Sequence, residues 1–148
     1  MFKKIFILVI FISFLSIGVA VAANTIEVDV PAGFDDLGGN VYISQSFGKP
    51  DQFLTIVPFD DYYKADYLIN DSSDGYFIYP YKNNTFNYVE GSVNEQGSFE
   101  IIEFEGEKYI IDFSDESIND KNDFSATYKW LVEFNKLNNF TAVNVTAK

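Results

Sequence analysis

Between residues 76 and 113 the chain sets short runs with period-two hydrophobicity against pairs of turn-forming residues, and this alternation restricts the fold more than any other feature. The runs are residues 76–81, 86–93, 98–104 and 108–113. The breaks are Asn83-Asn84, Asn94-Glu95-Gln96-Gly97 and Glu105-Gly106, all rich in residues that accept turn conformations. Strands joined by such short connections pair antiparallel, because a parallel crossover needs a dozen or more residues. The pattern therefore predicts a meander. With Glu105-Gly106 as a two-residue turn, Glu103 faces Lys108, Ile101 faces Ile110 and Ile102 faces Tyr109. One face of the sheet is then continuous and apolar, and it needs a cover.

The cover is legible further on. Ser117-Ile118-Asn119-Asp120 resembles a capping box, and Phe124, Tyr128, Leu131 and Phe134 then recur at helical spacing, with Trp130 and Leu137 widening the stripe. Lys129, Glu133 and Lys136 fall on the other side. A helix is expected over residues 120–138, ended by Asn138-Asn139, with a final strand at residues 141–146. Ahead of the meander, residues 25–30 alternate apolar and acidic as a half-buried strand does, and Pro31 ends them. Asp35-Asp36-Leu37-Gly38-Gly39 reads as a turn into a strand at residues 41–47, and Gly48-Lys49-Pro50-Asp51 as a turn into residues 53–57, giving an N-terminal hairpin. Tyr63 and Tyr67, four apart behind Asp60-Asp61, favour a short helix at residues 60–68. The expected fold is α+β: a single domain, mainly an antiparallel meander sheet covered by one C-terminal helix, with a final strand.

The first 23 residues carry a different message. Lys3 and Lys4 precede an apolar run over residues 5–21 that closes on Ala20-Val21-Ala22-Ala23, the arrangement of an export signal with a small-residue cleavage site. Two outcomes are open: cleavage, leaving an extracytoplasmic domain over residues 24–148, or retention of the run as a membrane anchor, since it nearly spans a hydrocarbon layer of about 30 Å. Either way the expected location is outside the cytoplasmic membrane, secreted or at the cell envelope.

Composition removes several chemistries. The chain contains no Cys and no His, so a Ser-His-Asp triad, a Cys nucleophile, a His-ligated zinc and disulfides are excluded within it. It contains no Arg, the fork that grips phosphate and carboxylate in pairs. Net charge is −12, and loss of the leader with Lys3 and Lys4 takes it to −14, eight lysines against 22 acids. Such a surface repels nucleic acid and anionic lipid, so no nucleic-acid partner is expected, and membrane contact only through an uncleaved leader. Stability must come from packing, which the aromatic content of 18% supplies.

Four sets of residues are candidates for function. Asn70, Ser72 and Asp74 place oxygen ligands at alternate positions before Gly75, as a calcium loop does, but the twelfth position is Tyr81 and not the bidentate Glu, and an Asp74-Gly75 turn explains the same residues. Glu100, Glu103, Glu105, Glu107 and Asp112 gather carboxylates on one hairpin; a pair across it would suit glycoside hydrolysis, whereas a solvated charged face needs no chemistry. Phe77, Tyr79 and Tyr81 share a strand face whose expected role is core packing, and Pro80 places that strand at its end or at a sheet edge, which leaves Tyr79 and Tyr81 as candidates for contact with a sugar or another chain. Asn70, Asn83, Asn139 and Asn144 each open an Asn-X-Ser/Thr sequon and become acceptors where the export route glycosylates.

The Lys3-Lys4 leader, the opening Ile26-Glu27-Val28-Asp29-Val30-Pro31-Ala32-Gly33-Phe34 and the closing stretch from Leu131 to Asn138 resemble small exported proteins of methanogenic archaea. That resemblance implies a small envelope domain of unknown function. The opening is also similar to that of PsbP-like and related α/β sandwiches, from which no activity carries over. The expectation is an exported, non-enzymatic domain acting through protein or glycan contact, without a cofactor. A calcium-dependent module and a carboxylate-based hydrolase are the alternatives.

Overall fold

The computed structural model describes residues 25–45, 51–59, 76–90, 95–116 and 123–145. Among these residues seven strands, β1 (Asp35–Gly38), β2 (Val41–Ser44), β3 (Gln52–Pro58), β4 (Tyr76–Pro80), β5 (Phe86–Glu90), β6 (Glu95–Phe104) and β7 (Glu107–Asp115), form one sheet, and a long helix, α1 (Ser125–Asn138), follows. The sheet order is β1-β2-β3-β7-β6-β5-β4 and every neighbouring pair is antiparallel. Two meanders thus meet at the β3–β7 seam, and β4 is an edge strand.

Local chemistry accounts for the turns. Glu105 and Gly106 hold φ of 51° and 82°, the left-handed pair that suits a two-residue hairpin to strand twist, and the register Glu103↔Lys108, Ile101↔Ile110, Ile102↔Tyr109 is the one read from the sequence. Gly39 and Asn40 repeat the device, with φ of 65° and 59°, between β1 and β2. Residues 35–38, expected as a turn, are therefore a strand, and the turn sits one step later. The β4–β5 connection closes through a 3-10 turn, Lys82–Asn84, with Asn83 and Asn84 both at φ 58°.

Gly97 was expected to break the chain; it lies inside β6 instead. Its role is steric. A Cβ there would stand 2.5 Å from the Tyr88 hydroxyl and 2.5 Å from the Phe113 carbonyl oxygen, so the missing side chain is the space through which the Tyr88 ring passes.

Both faces of the central strands are apolar, one more than the sequence reading provided for. On one face Leu54, Ile56, Ile102, Tyr109, Ile111 and Phe113 pack against Leu131 and Phe134 of α1. On the other, Phe86, Tyr88, Phe99, Ile101 and Ile110 meet Phe59, Ile78, Val143 and Val145. Two-sided burial explains why β7 reads Tyr109-Ile110-Ile111 without alternation. The helix docks by the expected stripe, since Leu131 and Phe134 are fully buried and Trp130 meets Phe34 edge-on at 5.2 Å. The rest of the stripe departs from expectation: Phe124 precedes the helix as its N-cap, Tyr128 is half-buried and Leu137 is exposed, while Thr127, which the stripe did not include, is buried. At the helix end Asn139 takes the left-handed conformation, φ 55°, and the Phe140 amide donates to the Asn135 carbonyl at 3.0 Å. At its start Ser125 N–H donates to Asp123 Oδ1 at 3.0 Å; residues 117–120, read as the cap, lie outside the described residues.

Residues 25–30 alternate in burial as expected, with Ile26 buried and Val28 and Val30 half-buried, yet they join no ladder. Side-chain amides take the ladder's place. Asn40 accepts from Ile26 N–H at 2.9 Å and donates to its carbonyl at 2.8 Å, and Asn138 does the same for Asp29, both at 2.7 Å. The final strand is reduced in kind: Ala142 forms a single bridge to Ile102, and Val143 N–H donates to the Ile101 carbonyl at 2.8 Å, extending the sheet where β6 outruns β5.

Candidate functional site

The helix-covered face of β6 changes character along its length. Gln96, Ser98 and Glu100 precede Ile102 at strand period two, and all three are buried. A polar layer therefore runs under α1. Gln96 Nε2 donates to the Asp123 carbonyl at 2.7 Å, Ser98 Oγ donates to Asn87 Oδ1 at 2.8 Å and lies 2.7 Å from Thr127 Oγ1, and Asn135 Nδ2 donates to Glu100 Oε2 at 3.0 Å. Among the described residues, the buried side-chain atoms left without a partner are Glu100 Oε1 and Asn135 Oδ1, both in the last of these pairs. Burial pushes the Glu100 carboxyl up to about 7, and the Asn135 bond opposes that shift.

Above this pair lies a groove of about 620 Å³ between α1, the β4–β5 turn and the segment after the helix. Glu100 and Asn135 are among its lining groups, with Asn83, Thr85, Tyr128 and Asn139. Its aromatic lip is well defined. Tyr81 meets Tyr128 edge-on at 5.2 Å, Lys82 Nζ stands 4.8 Å from the Tyr128 ring centroid and 5.4 Å from that of Tyr81, and Asn83 Nδ2 donates to Tyr128 Oη at 2.7 Å. Tyr79 and Tyr81, expected in the core, are instead 48% and 45% exposed on and just beyond edge strand β4, which ends at Pro80 and, among the described residues, has no further strand to cover that side. A second cavity, about 610 Å³ near Asn40 and Asn138, is built around amides already committed to the backbones of Ile26 and Asp29.

The hairpin carboxylates do not come together as a pair. Glu103, Glu105 and Glu107 are exposed, whereas Glu100 lies beneath α1 and Asp112 projects from the opposite face. The solvated-face reading therefore fails for Glu100 and Asp112. Tyr88 Oη donates to the Asp112 carboxyl, with its two oxygens at 2.9 and 3.1 Å; burial first and the charge of Glu95 second push Asp112 up to about 8. Each acid sits among large apolar residues, Glu100 between Phe99 and Ile101 and Asp112 between Ile111 and Phe113, and that setting was the available sign of burial. Of the sequons, Asn83, Asn139 and Asn144 are exposed. Asn70, Ser72 and Asp74, the calcium candidates, lie outside the described residues, as do residues 60–68 and the leader. Among the described residues no three His, Cys, Asp or Glu side chains converge, and no helix is long and apolar enough to cross a membrane.

The chain matches no family model, no curated protein and no solved structure.

Proposed function

We propose that the chain is an exported, non-enzymatic envelope domain that binds neutral glycan through the groove beside α1 and the tyrosines of the β4 edge. The observation that carries the reading is the lip itself: Tyr79 and Tyr81 stand exposed on an edge strand, and Tyr81 and Tyr128 flank a groove whose other polar side chains are mainly amides and hydroxyls. Aromatic faces stack on the apolar faces of sugar rings, and neutral amides and hydroxyls match sugar hydroxyls. Net charge of −12 disfavours anionic polymers. The leader, and the likeness to small exported archaeal proteins, support the location. Glycosylation of Asn83 or Asn139 would crowd the same groove, so occupancy of those two sequons and glycan binding exclude each other.

A panel of immobilised neutral polysaccharides tests this with the full chain. Retention on at least one is expected, and Tyr79→Ala together with Tyr81→Ala should weaken it roughly 10-fold, since two stacked rings contribute about 0.5–1.5 kcal/mol each. No retention on any member, or equal retention by the double variant, removes the proposal.

A further inference from the structure

We propose that Glu100 and Asn135 form a proton-operated latch: a neutral Glu100 carboxylic acid holds the C-terminal half of α1 to β6 through a paired acid–amide ring, and loss of its proton loosens that half and alters the groove. Only the effect on the groove rests on the glycan reading. The latch rests on the hydrogen-bond inventory.

Asn135 Nδ2 donates to Glu100 Oε2 at 3.0 Å, and the partnerless atoms are the remaining oxygen of each group. With Glu100 ionised, both of those oxygens are acceptors, and two acceptors on touching groups cannot satisfy each other. A single proton on Oε1 changes that. Oε1–H then donates to Asn135 Oδ1 beside the existing bond, and one proton satisfies both orphaned atoms. The proton comes from water and returns to water, so no other reactant is needed.

The surroundings do not hold the anion. On the sheet side the neighbours of Glu100 on the same face are Ser98, Ile102 and Ile111, and from the post-helix segment and the β4–β5 turn come Phe140, Thr141, Ala142, Asn83 and Thr85, all uncharged. The titratable groups that α1 contributes to the groove are Tyr128 and Lys136; Lys136 is exposed, Lys129 and Glu133 do not line it, and Lys82 is stacked on the tyrosines. A carboxylate buried without a cation is costly, so ionisation draws the pair apart or brings water between α1 and β6.

Carbon-13 labelling of glutamate carboxyls in the full chain reads the first step. The Glu100 resonance should titrate near neutrality, and a midpoint in the ordinary range near 4.3 overturns the latch. Amide exchange reads the second step: after correction for intrinsic rates, exchange at α1 residues 134–138 should rise about 10-fold more than at the β3–β7 seam from pH 5.5 to 8.5, and Glu100→Gln, which keeps a donor toward Asn135, should abolish that excess. An unchanged excess in the variant overturns the latch independently. Polysaccharide retention at both pH values completes the test. Retention that depends on pH in the parent and not in Glu100→Gln supports coupling to the groove, whereas absent retention with the titration and exchange results intact sinks the glycan reading and leaves the latch standing.

Discussion

At the scale of single residues, the buried Glu100 and the half-buried Asp112 shape how stability responds to pH. Glu100 is raised by burial from 4.5 to about 7 and Asp112, by burial and the Glu95 charge, from 3.8 to about 8. A carboxyl whose folded pKa lies above its unfolded value binds more protons in the folded state, so it lowers stability as pH rises between the two values. The loss starts near 4 and is complete above 8. For Glu100 it is on the order of 3 kcal/mol, at about 1.4 kcal/mol per pH unit. Glu100→Gln should match the parent at pH 4 and exceed its stability by up to about 3 kcal/mol at pH 8.5, as measured by urea unfolding at both pH values. A constant difference between the two proteins would mean that Glu100 ionises as readily folded as unfolded. Neither shift could be derived from composition, because desolvation depends on what the fold stacks above each strand, and α1 reaches Glu100 from 35 positions away at Asn135.

Among the elements, α1 shows most clearly how a local pattern becomes a tertiary contact. Its stripe is legible because helical periodicity is a property of neighbouring residues, and Leu131 and Phe134 were buried as that stripe required. The Phe134 ring stands 6.1 Å from that of Phe113 and 5.9 Å from that of Phe140. Phe134→Ala should therefore cost about 3–5 kcal/mol, while Lys136→Ala on the exposed side should stay within about 0.5 kcal/mol. Equal urea midpoints for the two variants would show that α1 is not docked by this face. The β6–β7 hairpin was equally legible, down to its register, because a two-residue turn sets the pairing directly. Residues 25–30 were not. Their alternation was right, but the partners that replace a ladder are Asn40 and Asn138, amides far away in sequence that carry no strand signal.

For the whole molecule, stability without disulfides rests on a sheet packed on both sides, and the −12 charge adds self-repulsion that acidification relieves, in the same direction as Glu100 and Asp112. The proposed export carries a mass prediction: the protein recovered outside the cytoplasmic membrane should begin at Ala23 or Asn24, and an intact mass that retains Met1 to Ala22 would establish the anchor instead. Sequence alone determined the antiparallel meander, the β6–β7 register and the helix with the Leu131 and Phe134 core of its docking stripe, because period and turn chemistry are local. Tertiary structure alone decided that β3 pairs with β7, that β4 lies at the far edge, and that Tyr81, Lys82, Asn83 and Tyr128 gather beside a groove over Glu100 and Asn135. The physical reason is sequence distance: strand order, burial of an isolated acid and the closure of a groove depend on contacts between segments tens of residues apart, and no local periodicity encodes which segments those are.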